Sequence, residues 1–337
     1  MAPCRLFILA LFVTLWSMAA QPVSATELRL ATFNIAWLAN EPLPSMQAVK
    51  ACQAEARAYP ELERRPTPAC RRGVFRTAGA YALLARHIAA LNADLIAFQE
   101  VEGDEALRRI LADGRYQHAG EWLWWVNPLP EHGVQRVAIA IRRQWVNQVL
   151  ITSLPELGKP LWRESRGGLL ARWTLPSGAQ IAVLVVHLKS GCRGGSQDKP
   201  AACKALTAQG QWLGAYLDKW QQVGAPLIIL GDFNRDLDGE AQACAVGRCP
   251  VGSLWPALAR HGLRRVTAGF HLPSGCYPPR YGPAPIDHIL HSGSLIGKVV
   301  SGSLRAHPFL LPDGRGVYAE APAYLSDHCP LSLRLRW

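Results

Sequence analysis

Leu227-Ile228-Ile229-Leu230-Gly231-Asp232-Phe233-Asn234 is an apolar run that ends in a glycine, an acid and an amide. Four consecutive branched apolar residues read as a strand buried on both faces, with the polar groups at its tip. Further on, Tyr324-Leu325-Ser326-Asp327-His328-Cys329-Pro330 sets an acid and an imidazole just before another apolar stretch. One such strand tip is ordinary. Two of them define a pattern to look for along the rest of the chain.

The pattern recurs. Residues 27–35 (ELRLATFNI) alternate, with Leu28, Leu30, Thr32 and Asn34 on one face of a first strand. Residues 94–100 (DLIAFQE) form a mostly apolar strand ending in Gln99 and Glu100. Residues 181–187 (IAVLVVH) are apolar up to His187. Further strands are expected over 137–141, 146–151, 169–175, 286–290 and 331–335. Tyr81, Leu84, Ile88 and Leu91 fall at helical spacing, and helices are also expected over 104–111 and 203–220. Strands outnumber helices and several are apolar on both faces. The expected fold is therefore α/β: a four-layer sandwich of two mixed β-sheets packed face to face, with helices on the outside.

The chain has 337 residues, 49% of them apolar and 18% charged, enough for one large core. Its 25 prolines are scattered, and no Gly/Ser-rich or Pro-rich linker divides it. A single catalytic domain over 26–337 is expected. Residues 41–76, rich in Pro, Arg and Glu, read as an irregular cysteine-containing insertion. Residues 1–25 read as a cleaved signal peptide: Arg5, an apolar run from Leu6 to Ala20, then the small-residue signature Val23-Ser24-Ala25. The expected location is secreted or periplasmic, with no stable membrane anchor, and the expected state is a monomer.

Nine cysteines are present, and loss of Cys4 leaves an even number, which suits disulfides in an oxidising compartment. Sequence does not decide their pairing. Proximity suggests Cys52–Cys70, Cys192–Cys203 and Cys244–Cys249, leaving Cys276–Cys329. The formal charge of +11 favours a polyanionic partner, nucleic acid or an anionic membrane surface.

The residues at the strand tips carry a defined chemistry. Carboxylates, amides and imidazoles gathered in one site suit metal-assisted attack of water on a phosphodiester. Glu100 offers hard oxygen ligands for Mg²⁺ or a similar ion. Asn34 can bind a phosphate oxygen or complete the metal's surroundings. Asp232 and Asn234, two apart, point the same way on extended backbone; the acid can take a proton from water while the amide steadies it. His328 can stabilise charge growing on phosphorus if a carboxylate, expected to be Asp287, fixes its tautomer and raises its pKa. Asp327 would face the metal, directly or through water. Arg136, just before a strand, is either a phosphate contact or a surface charge. His288 alternates away from Asp287 and is left outside the site. Each of these residues also has a plain structural reading, as a strand-end turn residue or a satisfied core polar group.

Taken in order, Ala31-Thr32-Phe33-Asn34-Ile35, Phe98-Gln99-Glu100-Val101, Val186-His187-Leu188-Lys189-Ser190, Gly231-Asp232-Phe233-Asn234, Ile286-Asp287-His288-Ile289 and Ser326-Asp327-His328 resemble the endonuclease/exonuclease/phosphatase family. That family includes deoxyribonuclease I, abasic-site endonucleases, neutral sphingomyelinases and inositol phosphatases. The resemblance implies Mg²⁺ (or Mn²⁺ or Ca²⁺) as cofactor, with Glu100 as its principal ligand. It implies that His187 contacts the scissile phosphate or protonates the leaving oxygen. Ala36 stands where some members carry an acid, which leaves the number of metals open. A nuclease is the first expectation, with Lys189, Arg193, Lys199, Lys204 and Arg235 tracking a nucleic-acid backbone. The alternatives are a phospholipid or sphingomyelin phosphodiesterase, whose membrane contact would be Trp122, Trp124 and Trp125, and a phosphomonoesterase. Packing is the preferred reading of that tryptophan run.

Overall fold

The computed structural model describes residues 26–58, 69–70, 73–113, 120–128, 135–161, 166–192, 199–273, 276, 284–309 and 325–337. The signal peptide expected over 1–25, Arg193 and Tyr324 lie outside them. Two six-stranded sheets form the centre. The first contains β1 (Glu27–Leu38), β2 (Leu95–Val101), β3 (Trp122–Val126), β4 (Arg136–Arg142), β11 (Arg305–Ala306) and β12 (Leu331–Arg336), in the order β11-β12-β1-β2-β4-β3. The second contains β5 (Val149–Leu154), β6 (Gly168–Thr174), β7 (Gln180–His187), β8 (Leu227–Asp232), β9 (Arg264–Arg265) and β10 (Asp287–His291), in the order β5-β6-β7-β8-β10-β9. The pairs β1/β2 and β7/β8 are parallel and the others antiparallel, so both sheets are mixed.

Side-chain alternation explains the layers. Leu28, Leu30, Leu95, Ala97, Val137, Ile139, Leu331, Leu333 and Leu335 meet Leu169, Ala171, Trp173, Val183, Val185, Ile228, Leu230 and Ile289 between the sheets. The opposite face of the first sheet packs Phe33, Ile35, Ile96 and Phe98 under α2 (Ala78–Ala90) and α3 (Asp104–Leu111). The opposite face of the second packs Leu184, Val186 and Ile229 under α4 (Pro200–Val223) and α6 (Trp255–Ala259). The four-layer α/β sandwich is thus a direct consequence of strands that are apolar on both sides.

Local signals start and stop the helices. Thr77 caps α2, its hydroxyl accepting from Ala80 N at 3.2 Å. Pro200 opens α4, and Gly224 closes it at φ +71°, donating to Trp220 O at 3.2 Å. In α3, Asp104 and Glu105 lie in the first turn and Arg108 and Arg109 in the last, matching the helix dipole.

Three expectations need correction. The segment 41–76 is not irregular throughout: α1 (Met46–Ala58) forms in it, and Leu43 bridges Phe75. The strand expected over 146–151 starts later, because a 3-10 turn occupies Arg143–Gln148 before β5. Arg235 is no surface cation. It is buried against Glu240 and donates to Cys192 O at 2.7 Å. The tryptophan run forms the edge strand β3. Trp122 is 2% exposed, while Trp124 and Trp125 are partly buried against the two cores. The short helix α5 (Leu237–Ala245) had no expectation. All four suggested disulfides are present, and no described helix is long and apolar enough to cross a membrane.

Candidate active site

Backbone strain collects at one end of both sheets. Of the five non-glycine residues at positive φ among the described residues, four lie there: Ala36, Trp37, Glu100 and Asn234, at +45°, +62°, +62° and +54°; the fifth, Asn92, follows α2. The pairing of β1 with β2 shifts between Asn34 and Leu38, and that of β2 with β4 between Phe98 and Val101. Bulged, left-handed backbone of this kind re-aims side chains at strand ends and is stable only when its surroundings hold it. Here it falls at Asn34 and Glu100 in one sheet and just after Asp232 in the other.

In the second sheet three polar residues share one row. His187 pairs with Asp232 across β7/β8, and Asp232 with Asp287 across β8/β10. The row is close-packed because Gly231, at φ +143°, has no Cβ; one placed there would lie 1.9 Å from Val186 O. Asp232 is 2% exposed and accepts three hydrogen bonds. Its Oδ2 accepts from Asn34 Nδ2 at 2.9 Å and Asn234 Nδ2 at 3.0 Å, and its Oδ1 from Asn234 N at 2.7 Å. Asn234 reaches Asp232 through a turn at positive φ, not through the extended backbone expected. The Asn34 contact joins the two sheets at the site.

His328 completes the cluster. Its Nδ1 lies 2.6 Å from Asp287 Oδ2, and its Nε2 lies 3.8 Å from Asp327 Oδ1. Burial disfavours the charged imidazole, but Asp287, then Asp232 and Asp327, outweigh it and hold its pKa well above the usual histidine value. These carboxylates favour the charged imidazolium form of His328. Burial, then the neighbouring Asp287, push Asp232 up to about 7, against the lowering pull of His328 and the two asparagines. Oxygen and nitrogen atoms of Asp232, Asp287 and His328 lie within 4.8 Å of one another. The 2.6 Å contact between His328 Nδ1 and Asp287 Oδ2 makes this trio a hydrogen-bonded acid–base group, and its oxygen and nitrogen atoms are close enough together to share one cation.

His187 reaches the same cluster from the end of β7. It is 1% exposed, and its Nε2 lies 2.7 Å from Arg166 Nη1, 3.4 Å from Asp232 Oδ2 and 3.8 Å from Glu100 Oε1. Burial, then Arg166, hold its pKa well below the usual value. It is neutral, and the cation at that place is Arg166, which also donates to Leu188 O and Gln135 Oε1, each at 2.7 Å. Nothing in the sequence pointed to Arg166, Gln135 or Arg76, whose partners among the described residues are remote. Arg136, the first residue of β4, pairs with Val101 of β2 and, among the described residues, makes no hydrogen bond or ion pair with the cluster. His288 lies outside it, between Thr267 and Arg235 O, as expected.

The side chains of Glu100 and Asp327 are 21% and 41% exposed. Among the described residues their carboxylates meet only histidine nitrogens, at 3.8 Å. Asp287 Oδ1 is buried with no hydrogen-bond partner. Open carboxylate oxygens beside an amide are the donor chemistry of a hard divalent cation.

The model of the endonuclease/exonuclease/phosphatase family matches residues 31–328. No curated protein matches this chain. Among solved structures, AP endonuclease LMAP from Leishmania major aligns with a TM-score of 0.53 at 17% identity, over 92% of this chain and 88% of that one. TDP2 from D. rerio, complexed with single strand DNA product, aligns at 0.51 and 17%, over 92% and 99%. A family protein from Bacteroides thetaiotaomicron aligns at 0.52 and 14%, over 93% and 98%. These likenesses establish the sandwich fold. The family match runs from the first strand to the Ser326-Asp327-His328 phrase, and the chain belongs to the endonuclease/exonuclease/phosphatase family, whose members hydrolyse phosphoric esters, generally with a divalent metal.

Proposed function

We propose that the protein is an exported phosphodiesterase that hydrolyses nucleic acid by in-line attack of water. The observation that carries the reading is the charge alternation at the site: a carboxylate pushed up to about 7 beside an imidazolium held by a second carboxylate. A base with a pKa near the working pH combines the right protonation state with a useful driving force. Asp232 takes the proton from water. Asn34 and Asn234 fix the carboxylate's orientation, and Asn34 adds an amide toward the phosphate. His328 lies across the cluster and offsets negative charge as the phosphorus becomes five-coordinate. Asp287 holds His328 in its charged form and single orientation. Glu100 and Asp327, with Asn34, are the residues that would hold Mg²⁺, Mn²⁺ or Ca²⁺. When bound, the cation supplies positive charge to the phosphoryl and leaving oxygens.

Nucleic acid is favoured by the formal charge of +11, since a polyphosphate backbone attracts a basic protein over long range. A lipid substrate is disfavoured by the packing of Trp122, Trp124 and Trp125 into the edge of the first sheet. Four disulfides support an oxidising compartment, secreted or periplasmic. The test is plasmid nicking by purified protein with Mg²⁺ or Mn²⁺, abolished by EDTA and weakened by rising salt. Cleavage of choline phospholipids with DNA and RNA left intact would overturn the reading.

A further inference from the structure

Arg76 stands in the cysteine-containing segment that separates the first two strands, where the sequence gives no sign of a role. In the structure its side chain is inside the protein, at 5% exposure. Among the described residues no carboxylate lies within ion-pair distance of it. The guanidinium instead donates to four main-chain carbonyls: Trp37 O at 2.5 Å and Ile35 O at 2.8 Å, with Leu325 O at 2.9 Å and Ala36 O at 3.1 Å. Burial lowers its pKa to about 10, which Tyr81 and Glu100 partly offset, so it stays charged at neutral pH. A buried charge without a counter-ion is costly, and only a dense set of hydrogen bonds makes it tolerable.

Those carbonyls belong to the bulged end of β1 and to the loop just before His328, two segments that meet at the candidate site. Ile35, Ala36 and Trp37 are the stretch that follows Asn34, with left-handed backbone at Ala36 and Trp37. Leu325 is the residue before Ser326-Asp327-His328. The segments also touch directly: Ser326 Oγ donates to Asn34 O at 2.7 Å, and His328 N donates to Ser326 Oγ at 3.0 Å. One planar cation thus spans the strained turn that aims Asn34 and the loop that carries His328. Arg76 is itself anchored. Its N–H donates to Leu43 O at 3.1 Å, Leu43 bridges Phe75, and Cys52 is bonded to Cys70. Trp37, Ala39 and Ala69 form a small core with Leu43 and Val74 over the same turn.

We propose that Arg76 is a positioning residue for the phosphodiesterase site, and that the disulfide-tied segment around it is the mount that holds it there. The proposal rests on the function proposed above. Arg76 touches no substrate. It fixes the distance between Asn34, which orients Asp232, and His328, which offsets the charge. A clamp made of four carbonyl contacts needs the forked, planar guanidinium, so a lysine at this position would restore charge without restoring the span.

The test compares Arg76→Met, Arg76→Lys and the Cys52→Ser/Cys70→Ser double variant with the wild-type protein, using Mg²⁺ and a nucleic-acid substrate. Misplacement of catalytic groups by about an ångström costs on the order of 100-fold in rate, so Arg76→Met should lose about that in kcat with KM little changed. Millimolar ethylguanidinium should return part of it. Arg76→Lys should fall between the two, and it keeps the question open to measurement if Arg76→Met does not fold. Amide hydrogen exchange should quicken at residues 34–38 and 325–328 while β5 to β8 keep their protection. The double serine variant should show the same local pattern, more weakly. Wild-type kcat in either Arg76 variant overturns the proposal, as does exchange that quickens evenly across both sheets, which would mark a purely structural arginine. Unchanged exchange at 34–38 in the double serine variant removes the mount. If the wild-type protein cleaves no nucleic acid, the proposed function falls, and the local exchange pattern still decides the clamp.

Discussion

Asp287 Oδ2 lies 2.6 Å from His328 Nδ1 while Asp287 sits directly opposite Asp232 in the β8/β10 register. A single carboxylate therefore raises the proton affinity of two neighbours, the imidazole by attraction and the acid by repulsion. The two shifts have opposite consequences. Asp287 favours the charged form of His328 and, after burial, is the second cause that pushes Asp232 up to about 7, so one residue acts on both partners of the reaction.

Replacing Asp287 by Asn separates these effects. The amide keeps the shape and removes the charge. The His328 imidazole should then titrate at lower pH, as read from its ring-proton NMR signal. Turnover should drop on the order of 100-fold or more, the usual scale for acid–base groups. An unchanged His328 titration would show that Asp287 does not govern it.

Gly231 is a steric prediction. It stands at φ +143°, and an added Cβ would lie 1.9 Å from Val186 O in the adjacent strand. Backbone, not a flexible side chain, would have to move. Gly231→Ala should therefore cost more than about 3 kcal/mol, beyond the ordinary range for a point substitution, and pull His187 away from Asp232. Urea unfolding measures it; a midpoint equal to wild type would contradict the strand spacing described here.

The strand tips were legible because their information is local. Asp232, Asn234, Asp327 and His328 each follow or precede an apolar run, which marks them as strand-end residues. His288 was excluded by the alternation along its strand. Arg76 and Arg166 were not legible because the partners they meet among the described residues are remote in sequence. Arg76 reaches back some forty residues to β1 and forward 249 to Leu325. Arg235 was misread for a related reason: a cation next to a catalytic motif looks like a substrate contact until Glu240, five residues on, is seen to return on α5 and neutralise it. Helix α1 was missed because its amphipathic pattern is weak, with Val49 as its buried residue, and because its staple to Cys70 comes from outside the helix.

His87 makes stability pH-dependent. It stacks on Phe309 at 4.3 Å, and its Nε2 lies 3.1 Å from His307 O. Burial, then the neighbouring His307, lower its pKa to about 4. The unfolded chain, with an ordinary histidine near 6.5, binds more protons than the folded one between those values. Its contribution is therefore fully present above about pH 6.5 and declines as pH falls toward 4, by at most roughly 3 kcal/mol. His307 is lowered too, by burial first, and adds in the same direction. His328, with a raised value, works the opposite way: its contribution is full at low pH and is lost as pH rises through its folded-state pKa. Urea midpoints at pH 7 and pH 4.5 should differ less in His87→Gln than in wild type. Equal differences would exclude His87 as a source.

The pair Arg235–Glu240 tests how the turn carrying Asn234 is supported. Both side chains are 2% exposed. Glu240 receives Arg235 on one oxygen and the backbone N–H groups of Leu254 and Trp255 on the other, at 2.7 and 2.8 Å. It therefore serves as counter-ion to Arg235 and as acceptor for the start of α6. Arg235 in turn donates to Cys192 O, next to the Cys192–Cys203 bond. Glu240→Gln keeps the shape but leaves a buried guanidinium without its counter-charge, and breaking one side of a buried pair costs about 3–5 kcal/mol. A double change, Arg235→Met with Glu240→Leu, removes both charges and should recover much of that loss, because the desolvation penalty disappears with them. Recovery in the double variant above the single one, measured by urea unfolding, is the expected order. If the double variant is instead less stable than Glu240→Gln, the hydrogen bonds to Cys192 and to the start of α6 outweigh the cost of burying the pair.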